Sequence, residues 1–327
     1  MSFKKLTKYS LIKEVFVKIE NKEMEYNKPN KIITEVKTLF VTGELGTYHV
    51  KIMGEGKVTI LLECGMMHTL HQWQYLQKEL SQYAKVIAYD RLGYGKSGKW
   101  TSERSAEQQA FECYDLLMTL NISSPLVVVG HSLGAYVTYQ LNHLFPNRVQ
   151  SMILLDPTHP QLEDNEQKLY DKLLYQYALL MKRANQLKIT NILPSQLISK
   201  MFKQHTEERF EMLRALKSLK HWKTVVSEWK NLYYSNKGIG EALKKQIDIP
   251  LLVLTASKQS GLSFGKKNQA ELLQRVEDYH QQYARMSLKG SHKTIQGYTH
   301  SSIYGNNKDT AKNISQLIRD QIDLFIK

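Results

Sequence analysis

A serine between two glycines, in the sequence GHSLG at residues 130–134, is the most suggestive chemical feature of the chain. It directly follows the apolar run PLVVV (125–129) and directly precedes AYVTYQLNHLF (135–145), which has the pattern of a helix. A sharp turn between a strand and a helix exposes the hydroxyl of its central serine and sets it at the positive end of the helix. This context favours Ser132 as a nucleophile over a serine that only caps a helix.

The segments around this turn alternate between strand and helix patterns. Continuous apolar runs of strand length recur at residues 58–63, 85–90, 125–129, 148–157 and 247–257. Amphipathic helical patterns lie between and after them, as at residues 105–120 and 309–326. Such alternation predicts an α/β fold with a mainly parallel sheet and helices on both faces.

The alternation is interrupted once, which divides the chain into three parts. Residues 37–157 and 247–327 are predicted to form the α/β core, and the helical patterns of residues 158–246 are predicted to form an insertion on the sheet. Residues 1–36 are read as an N-terminal extension without the apolar stretch of a secretory signal. A helix over residues 9–20 that lies on a membrane surface is the alternative for part of this extension.

Composition narrows the class of protein. The chain has 327 residues, a formal charge of +14 and only two cysteines. The lysines are spread widely rather than concentrated in one block, so nucleic acid is not expected as a partner. Few cysteines suit a reducing compartment, and we expect a cytoplasmic protein for which peripheral contact with a membrane stays open. The cysteines and histidines lack the spacing of metal ligands, and neither a metal nor an organic cofactor is predicted.

Three motifs in order resemble the α/β-hydrolase superfamily. They are YDRLGYGKSG (89–98), GHSLG (130–134) and FPNRVQSMILLDP (145–157). The first contains DRxGxGxS, a pattern common in esterase-like members of that superfamily. The resemblance covers about residues 37–327, and it implies the α/β-hydrolase fold with the helical insertion as a lid over the active site.

The resemblance also implies an oxyanion hole built from two backbone N–H groups. One belongs to Leu133, directly after the nucleophile. The other belongs to Met66 in the loop ECGMMHTLHQW (63–73), where this chain has Cys-Gly in place of the His-Gly of many relatives. The residues expected to contact substrate are Gly65, Met67 and His131.

The base is expected late in the chain, because the order in this superfamily is serine, acid, histidine. His280, His292 and His300 all follow the last long apolar strand. His280 falls within a helical pattern, His292 precedes a short predicted strand, and His300 follows that strand. The base of the superfamily occupies the loop after the last strand, so His300 is favoured over His292.

The acid is not where most relatives have it, which is at about Gln259. The chain has no Asp or Glu between Ile249 and Ala270. Some members place the acid after the preceding strand, where this chain has Asp156, and we therefore expect Asp156 to complete the triad. An aspartate at this position that only supports the loop is the alternative, and Glu63 is a weaker candidate for the acid.

These residues predict a serine hydrolase that cleaves a carboxylic ester through an acyl-enzyme. The expected partner is a small-molecule ester with a hydrophobic acyl or alcohol part. A serine rather than an aspartate at the nucleophile position argues against haloalkane dehalogenase and epoxide hydrolase chemistry. A peptidase or amidase of the same fold, and a non-catalytic ligand-binding protein, remain as alternatives.

Overall fold

A computed structural model describes residues 17–19, 36–160, 165–192, 206–258 and 269–325. Nine strands of these residues form one sheet in the order β1-β2-β3-β5-β4-β6-β7-β8-β9. The strands are β1 (Val17–Ile19), β2 (Val36–Thr42), β3 (Thr47–Met53), β4 (Thr59–Glu63), β5 (Lys85–Tyr89), β6 (Leu126–His131), β7 (Val149–Leu155), β8 (Leu251–Lys258) and β9 (Gly290–Thr299). The first three pair antiparallel, and the strands from β5 to β9 along the sheet are parallel. The predicted α/β fold with a mainly parallel sheet is confirmed.

Helices cover both faces of this sheet. Those described are α1 (Gln74–Leu80), α2 (Ala106–Thr119), α3 (Gly134–Leu144), α4 (Asn165–Gln186), α5 (Ile189–Ile192), α6 (Thr206–Leu216), α7 (Leu219–Lys230), α8 (Leu232–Ala242), α9 (Gln269–Arg285) and α10 (Lys308–Asp323). A 3₁₀ turn, Leu70–Trp73, leads into α1. Helices α4 to α8 all lie between β7 and β8, the place where the strand patterns of the sequence stop.

The core has two layers because successive side chains of a strand point to opposite faces. In β6, Val128 packs with α2 and α3 on one face, whereas Val127 and Val129 pack with α1 and α10 on the other. Strands that are apolar at every position therefore have both faces covered. This double layer fixes the carboxyl ends of the parallel strands, where the chemically interesting residues lie.

The N-terminal extension is described only at β1 and at its last residue. Val17–Ile19 pairs antiparallel with β2, so the alternative of a membrane-surface helix over residues 9–20 is wrong for these three residues. Their backbone groups are already engaged in the sheet. The remainder of that alternative lies outside the described residues. Within the described ranges, none of the helices is both long enough and apolar enough to cross a bilayer.

The two glycines that flank Ser132 occupy positions with no room for a side chain. A Cβ atom on Gly134 would lie 2.5 Å from the backbone carbonyl oxygens of Glu63 and Cys64, and one on Gly130 would lie 2.5 Å from Thr138 Oγ1. Neither backbone carbonyl can rotate away as a side chain could. The close approach of α3 to the end of β4 therefore depends on glycine.

Gly134→Ala is expected to lower the free energy of unfolding by about 1–3 kcal/mol, because the new methyl group forces the backbone apart. Gly240 in α8 is the matched control, since a Cβ atom there meets nothing within 4 Å. Gly240→Ala should raise stability by up to about 1 kcal/mol, as expected for a helical glycine. Urea unfolding of both variants measures this difference, and equal effects at the two positions would contradict the steric argument.

Candidate active site

Ser132 sits in a strained turn between β6 and α3. Its φ is 53°, in the left-handed region that residues other than glycine rarely adopt. Two backbone hydrogen bonds connect the turn to the end of β7 and the loop after it. The Ser132 N–H donates to the Leu155 carbonyl over 3.1 Å, and the Ser132 carbonyl accepts from the Thr158 N–H over 3.3 Å. Strain of this kind costs about 1–3 kcal/mol and is common at functional sites.

Asp156 lies at the end of the neighbouring strand, β7, and its carboxylate faces His300. The Nδ1–H of His300 donates to Asp156 Oδ2 over 2.7 Å, and the backbone N–H of Ala256 donates to Oδ1 over 3.0 Å. Burial by itself would raise the pKa of Asp156, but the hydrogen bond and charge of His300 hold that pKa below its ordinary value. The carboxylate is thus kept ionised against the imidazole ring.

His300 follows β9 in a turn, with 38% of its side chain exposed. Its ring lies beside the ring of His131, the residue before Ser132, with 4.6 Å between the ring centres. Asp156 and His300, which are 144 positions apart in the sequence, therefore meet next to the turn that carries Ser132.

The other two late histidines lie behind Asp156 in a separate network. Thr255 Oγ1 is 2.7 Å from His280 Nδ1 and 2.7 Å from His292 Nε2. His280 Nε2 is 2.8 Å from the Pro157 carbonyl, to which it must donate. His280 Nδ1 then accepts from the Thr255 hydroxyl, and His292 Nε2–H donates to the same hydroxyl oxygen. This network fixes the backbone after Asp156 and leaves the contact with the carboxylate to His300.

In the loop after β4, some backbone N–H groups are hydrogen-bonded within the protein and one is not. The Gly65 N–H donates to Gln72 Oε1 over 3.2 Å, and the Met67 N–H donates to the Tyr94 hydroxyl over 3.4 Å. Between them, the Met66 N–H has no protein acceptor among the residues described. A donor held rigidly between two engaged neighbours is suited to binding a ligand oxygen.

A second N–H of this kind belongs to Leu133, at the start of α3. It too has no acceptor within the described part of the chain, as expected for the first residues of a helix. A Cβ atom on Gly65 would be 3.4 Å from the Cβ of Ser132, which shows how closely the two segments approach. The two expected oxyanion donors thus belong to segments that meet at the serine.

Among the expected substrate contacts, Met67 is partly buried with a left-handed φ of 68°. His131 is only 1% exposed, and both of its ring nitrogens are hydrogen-bonded within the protein. His131 thus has no ring nitrogen free to hydrogen-bond a substrate, and its expected contact with substrate stays a prediction. Cys64 is buried, and its thiol donates a hydrogen bond to the Thr69 carbonyl. Burial raises the pKa of this thiol well above its ordinary value, as expected for a packed cysteine that is not a nucleophile.

Glu63, the weaker candidate for the acid, is engaged elsewhere. Its carboxylate forms a salt bridge of 2.8 Å with Arg91 and accepts from the Tyr89 hydroxyl. Burial raises the pKa of Glu63 despite these partners. Glu63 is therefore part of a buried charge cluster and is not the partner of His300.

The same cluster reaches Glu228 in the helices between β7 and β8, a contact that the sequence does not indicate. Arg91 donates to the Gly65 carbonyl over 3.0 Å and lies 3.5 Å from Glu228 of α7. Glu228 also accepts from the Tyr94 hydroxyl over 2.7 Å. The DRxGxGxS motif singled out Arg91 without giving it a partner, and no feature of the sequence distinguishes Glu228 from other helix glutamates.

No group of three or more His, Cys, Asp or Glu side chains in the described ranges is arranged to hold a metal ion.

A family model described as alpha/beta hydrolase fold matches residues 58–205. The uncharacterized protein YqjL of Bacillus subtilis is 34% identical over 111 residues, which are 34% of this chain and 43% of YqjL. An AB hydrolase superfamily protein of Gibberella zeae is 30% identical over 115 residues, 35% of this chain and 34% of that protein. The chain thus spans less than half the length of these curated relatives.

Solved structures agree over nearly the whole chain at the level of the fold. The epoxide hydrolase CorEH aligns with a TM-score of 0.68 and 13% identity over 89% of this chain and 100% of its own. Together with the sheet topology and the family match over residues 58–205, this shows that the chain has the α/β-hydrolase fold.

The network behind Asp156 predicts a loss of stability in acid. Burial lowers the pKa of His280 from 6.5 to about 4. Below pH 6.5 the ring is protonated in the unfolded protein, whereas in the folded protein it stays neutral down to about pH 4. The unfolded state therefore binds more protons in this range, and the free energy of unfolding falls as the pH falls. Between pH 7 and pH 5 this one residue should remove about 2 kcal/mol of stability.

Urea unfolding of His280→Gln tests this expectation, because the amide keeps a donor and an acceptor but does not titrate. The variant should lose about 2 kcal/mol less than the wild type between pH 7 and pH 5. Between pH 7 and pH 8.5 the two proteins should change alike, since histidine no longer titrates there. An undiminished loss in the variant at pH 5 would assign the acid sensitivity to other groups.

Proposed function

We propose that this protein is a serine hydrolase that cleaves carboxylic esters, with Ser132 as nucleophile, His300 as base and Asp156 as the acid. The observation that carries the proposal is the 2.7 Å hydrogen bond from His300 Nδ1–H to Asp156 Oδ2 beside the strained turn of Ser132. With Nδ1 protonated and held by Asp156, a neutral His300 presents an unprotonated Nε2. This is the tautomer that a general base needs.

In the proposed reaction, Ser132 Oγ attacks the ester carbonyl carbon while His300 Nε2 takes the hydroxyl proton. Collapse of the tetrahedral intermediate breaks the bond to the alcohol oxygen, which receives the proton from His300. Water then attacks the acyl-enzyme by the same route and regenerates Ser132. Throughout, the Asp156 carboxylate stabilises the imidazolium form of His300.

The oxyanion of the intermediate is proposed to bind the N–H groups of Met66 and Leu133. Both groups lack a protein acceptor in the described structure, and they belong to segments that converge on Ser132. Fixed donors of this kind stabilise developing charge without reorganising, and each contributes about 2.7–4 kcal/mol to lowering the barrier.

An apolar cluster beside the oxyanion loop favours a hydrophobic substrate. Met66 and Met67 are half-buried and pack against a buried apolar cluster that includes Tyr94 and, from α7, Trp222 and Val225. We propose that the helices of residues 158–246 form a lid and that the acyl or alcohol part of the ester binds along this cluster. The superfamily also contains epoxide hydrolases such as CorEH. The serine in this chain favours acyl transfer instead.

A fluorophosphonate probe is expected to label wild-type protein at Ser132 and to leave Ser132→Ala unlabelled. The probe reacts only with a serine whose proton has a base to accept it, so labelling reports the activated nucleophile. Mass spectrometry of the labelled peptide identifies the site. Folded wild-type protein that takes up no label would support the non-catalytic binding protein instead.

Asp156→Asn is expected to lower kcat by about 10⁴-fold, because an amide no longer fixes the required tautomer of His300. Asp115→Asn is the matched control: Asp115 accepts hydrogen bonds from the backbone of Glu44 and Leu45 and from Tyr48, away from the triad. That variant should lose stability but keep kcat. Near-normal turnover by Asp156→Asn would leave the aspartate a structural role only.

The choice between ester and amide is decided by substrates of matched acyl group. p-Nitrophenyl esters of increasing acyl length should be hydrolysed with a kcat/KM that rises as the chain extends along the apolar cluster, while aminoacyl anilides should be poor substrates. The reverse preference would identify a peptidase or amidase.

A further inference from the structure

His131 connects three segments of the site through its two ring nitrogens. Its Nδ1 is 2.9 Å from Gln72 Nε2, and its Nε2 is 3.0 Å from the backbone carbonyl of His300. Gln72 Oε1 in turn accepts the Gly65 N–H over 3.2 Å. The path starts at the loop of residues 64–69, which carries the Met66 donor and is here called the oxyanion loop. It runs through the 3₁₀ turn to the turn of residues 130–134 around Ser132, here called the elbow, and ends at the loop that carries His300.

The chemistry of the two ends fixes the direction of every hydrogen bond in this path. The carbonyl of His300 can only accept, so His131 Nε2 must carry a proton. The backbone N–H of Gly65 can only donate, so Gln72 Oε1 must accept and its amide NH₂ must point to His131. His131 Nδ1 is then an acceptor, and the ring is neutral.

Packing leaves no alternative position for the His131 ring. It is 1% exposed, and Gln72 is 2% exposed. The rings of Tyr304 and Trp73 lie edge-on to it, with 5.0 Å and 6.5 Å between ring centres. The His300 ring lies tilted at 4.6 Å. Burial, together with the charges of His300 and His68, holds the pKa of His131 well below its ordinary value.

We propose that Gln72 and His131 are positioning residues that hold the oxyanion loop and the His300 loop in fixed relation to the elbow. This inference rests on the proposed function, because it assigns the two loops their catalytic tasks. His131 acts only through backbone groups: it holds the carbonyl of His300, and through Gln72 it holds the N–H next to the Met66 donor.

The path works only while His131 is neutral. A proton on Nδ1 would face the Gln72 amide group, and turning that amide over would set its NH₂ against the Gly65 N–H. Two donors would then oppose each other in a buried site, at a cost of about 1–3 kcal/mol. A cationic His131 would also oppose the imidazolium that forms on His300 during the reaction.

Gln72→Met tests the proposal, with Gln77→Met as the matched control. Gln77 is a second buried glutamine five positions away, and its amide also makes two hydrogen bonds, to the carbonyls of Lys51 and Val86. Both variants should lose stability. Only Gln72→Met should lower kcat, by about 10-fold to 100-fold with KM little changed, as expected for a displaced catalytic group.

Two NMR measurements do not depend on turnover. The ¹⁵N shifts of His131 in wild-type protein at pH 7 should be those of a neutral ring protonated on Nε2. The downfield ¹H resonance of the His300 Nδ1–H bonded to Asp156 should be weakened or shifted in Gln72→Met and retained in Gln77→Met. Both spectra can be recorded in a Ser132→Ala background.

Different outcomes overturn the positioning role of Gln72 and His131 and the proposed hydrolase activity. A cationic or Nδ1-protonated His131, or a His300 resonance that is alike in both methionine variants, overturns the positioning role. Equal kcat in the two variants overturns it as well. Wild-type protein without turnover or probe labelling overturns the hydrolase proposal instead, and the two spectra still decide whether Gln72 and His131 position the His300 loop.

Discussion

The left-handed turn at Ser132 is the constraint on which the site depends. Contacts from neighbouring segments hold this strained conformation in place. The Ser132 N–H is hydrogen-bonded to β7. Helix α3 begins so close to the end of β4 that a side chain on Gly134 would clash with backbone oxygens. The strain is therefore offset by the packing of two parallel strands and a helix. Gly65, next to the proposed Met66 donor, also lies close to the serine, since a Cβ atom on it would be 3.4 Å from the Cβ of Ser132.

Buried charge ties that loop to the helices between β7 and β8. Arg91 donates to the carbonyls of Cys64 and Gly65 and lies between two carboxylates, Glu63 and Glu228. Breaking a buried pair by removing one partner is costly, because the charge left behind is out of water. One side chain, Arg91, thus holds both helix α7 and the loop of residues 64–69, which carries the proposed Met66 donor.

The position of the proposed acid, Asp156, is consistent with the geometry of a parallel sheet. Neighbouring strands are about 4.8 Å apart, so carboxylates placed after β7 or after β8 can approach the same imidazole from adjacent strand ends. Here Asp156 follows β7, and the backbone N–H of Ala256 in β8 donates to it. The space behind the carboxylate is taken by Thr255 and His280 rather than by a second acid. The carboxylate thus comes from the end of β7, and β8 supplies a backbone N–H that donates a hydrogen bond to it.

By itself the sequence determined the α/β class, the strand and helix order and the candidate residues Ser132, His300 and Asp156. Hydrophobic periodicity and the elbow glycines are local properties that can be read along the chain. Only the tertiary structure decided that His300, rather than His292, faces Asp156. It also decided that Arg91 meets Glu228 and that His131 is held between Gln72 and the His300 backbone. Each of these is a contact between residues far apart in sequence, and local pattern carries no information about which distant polar groups are buried together.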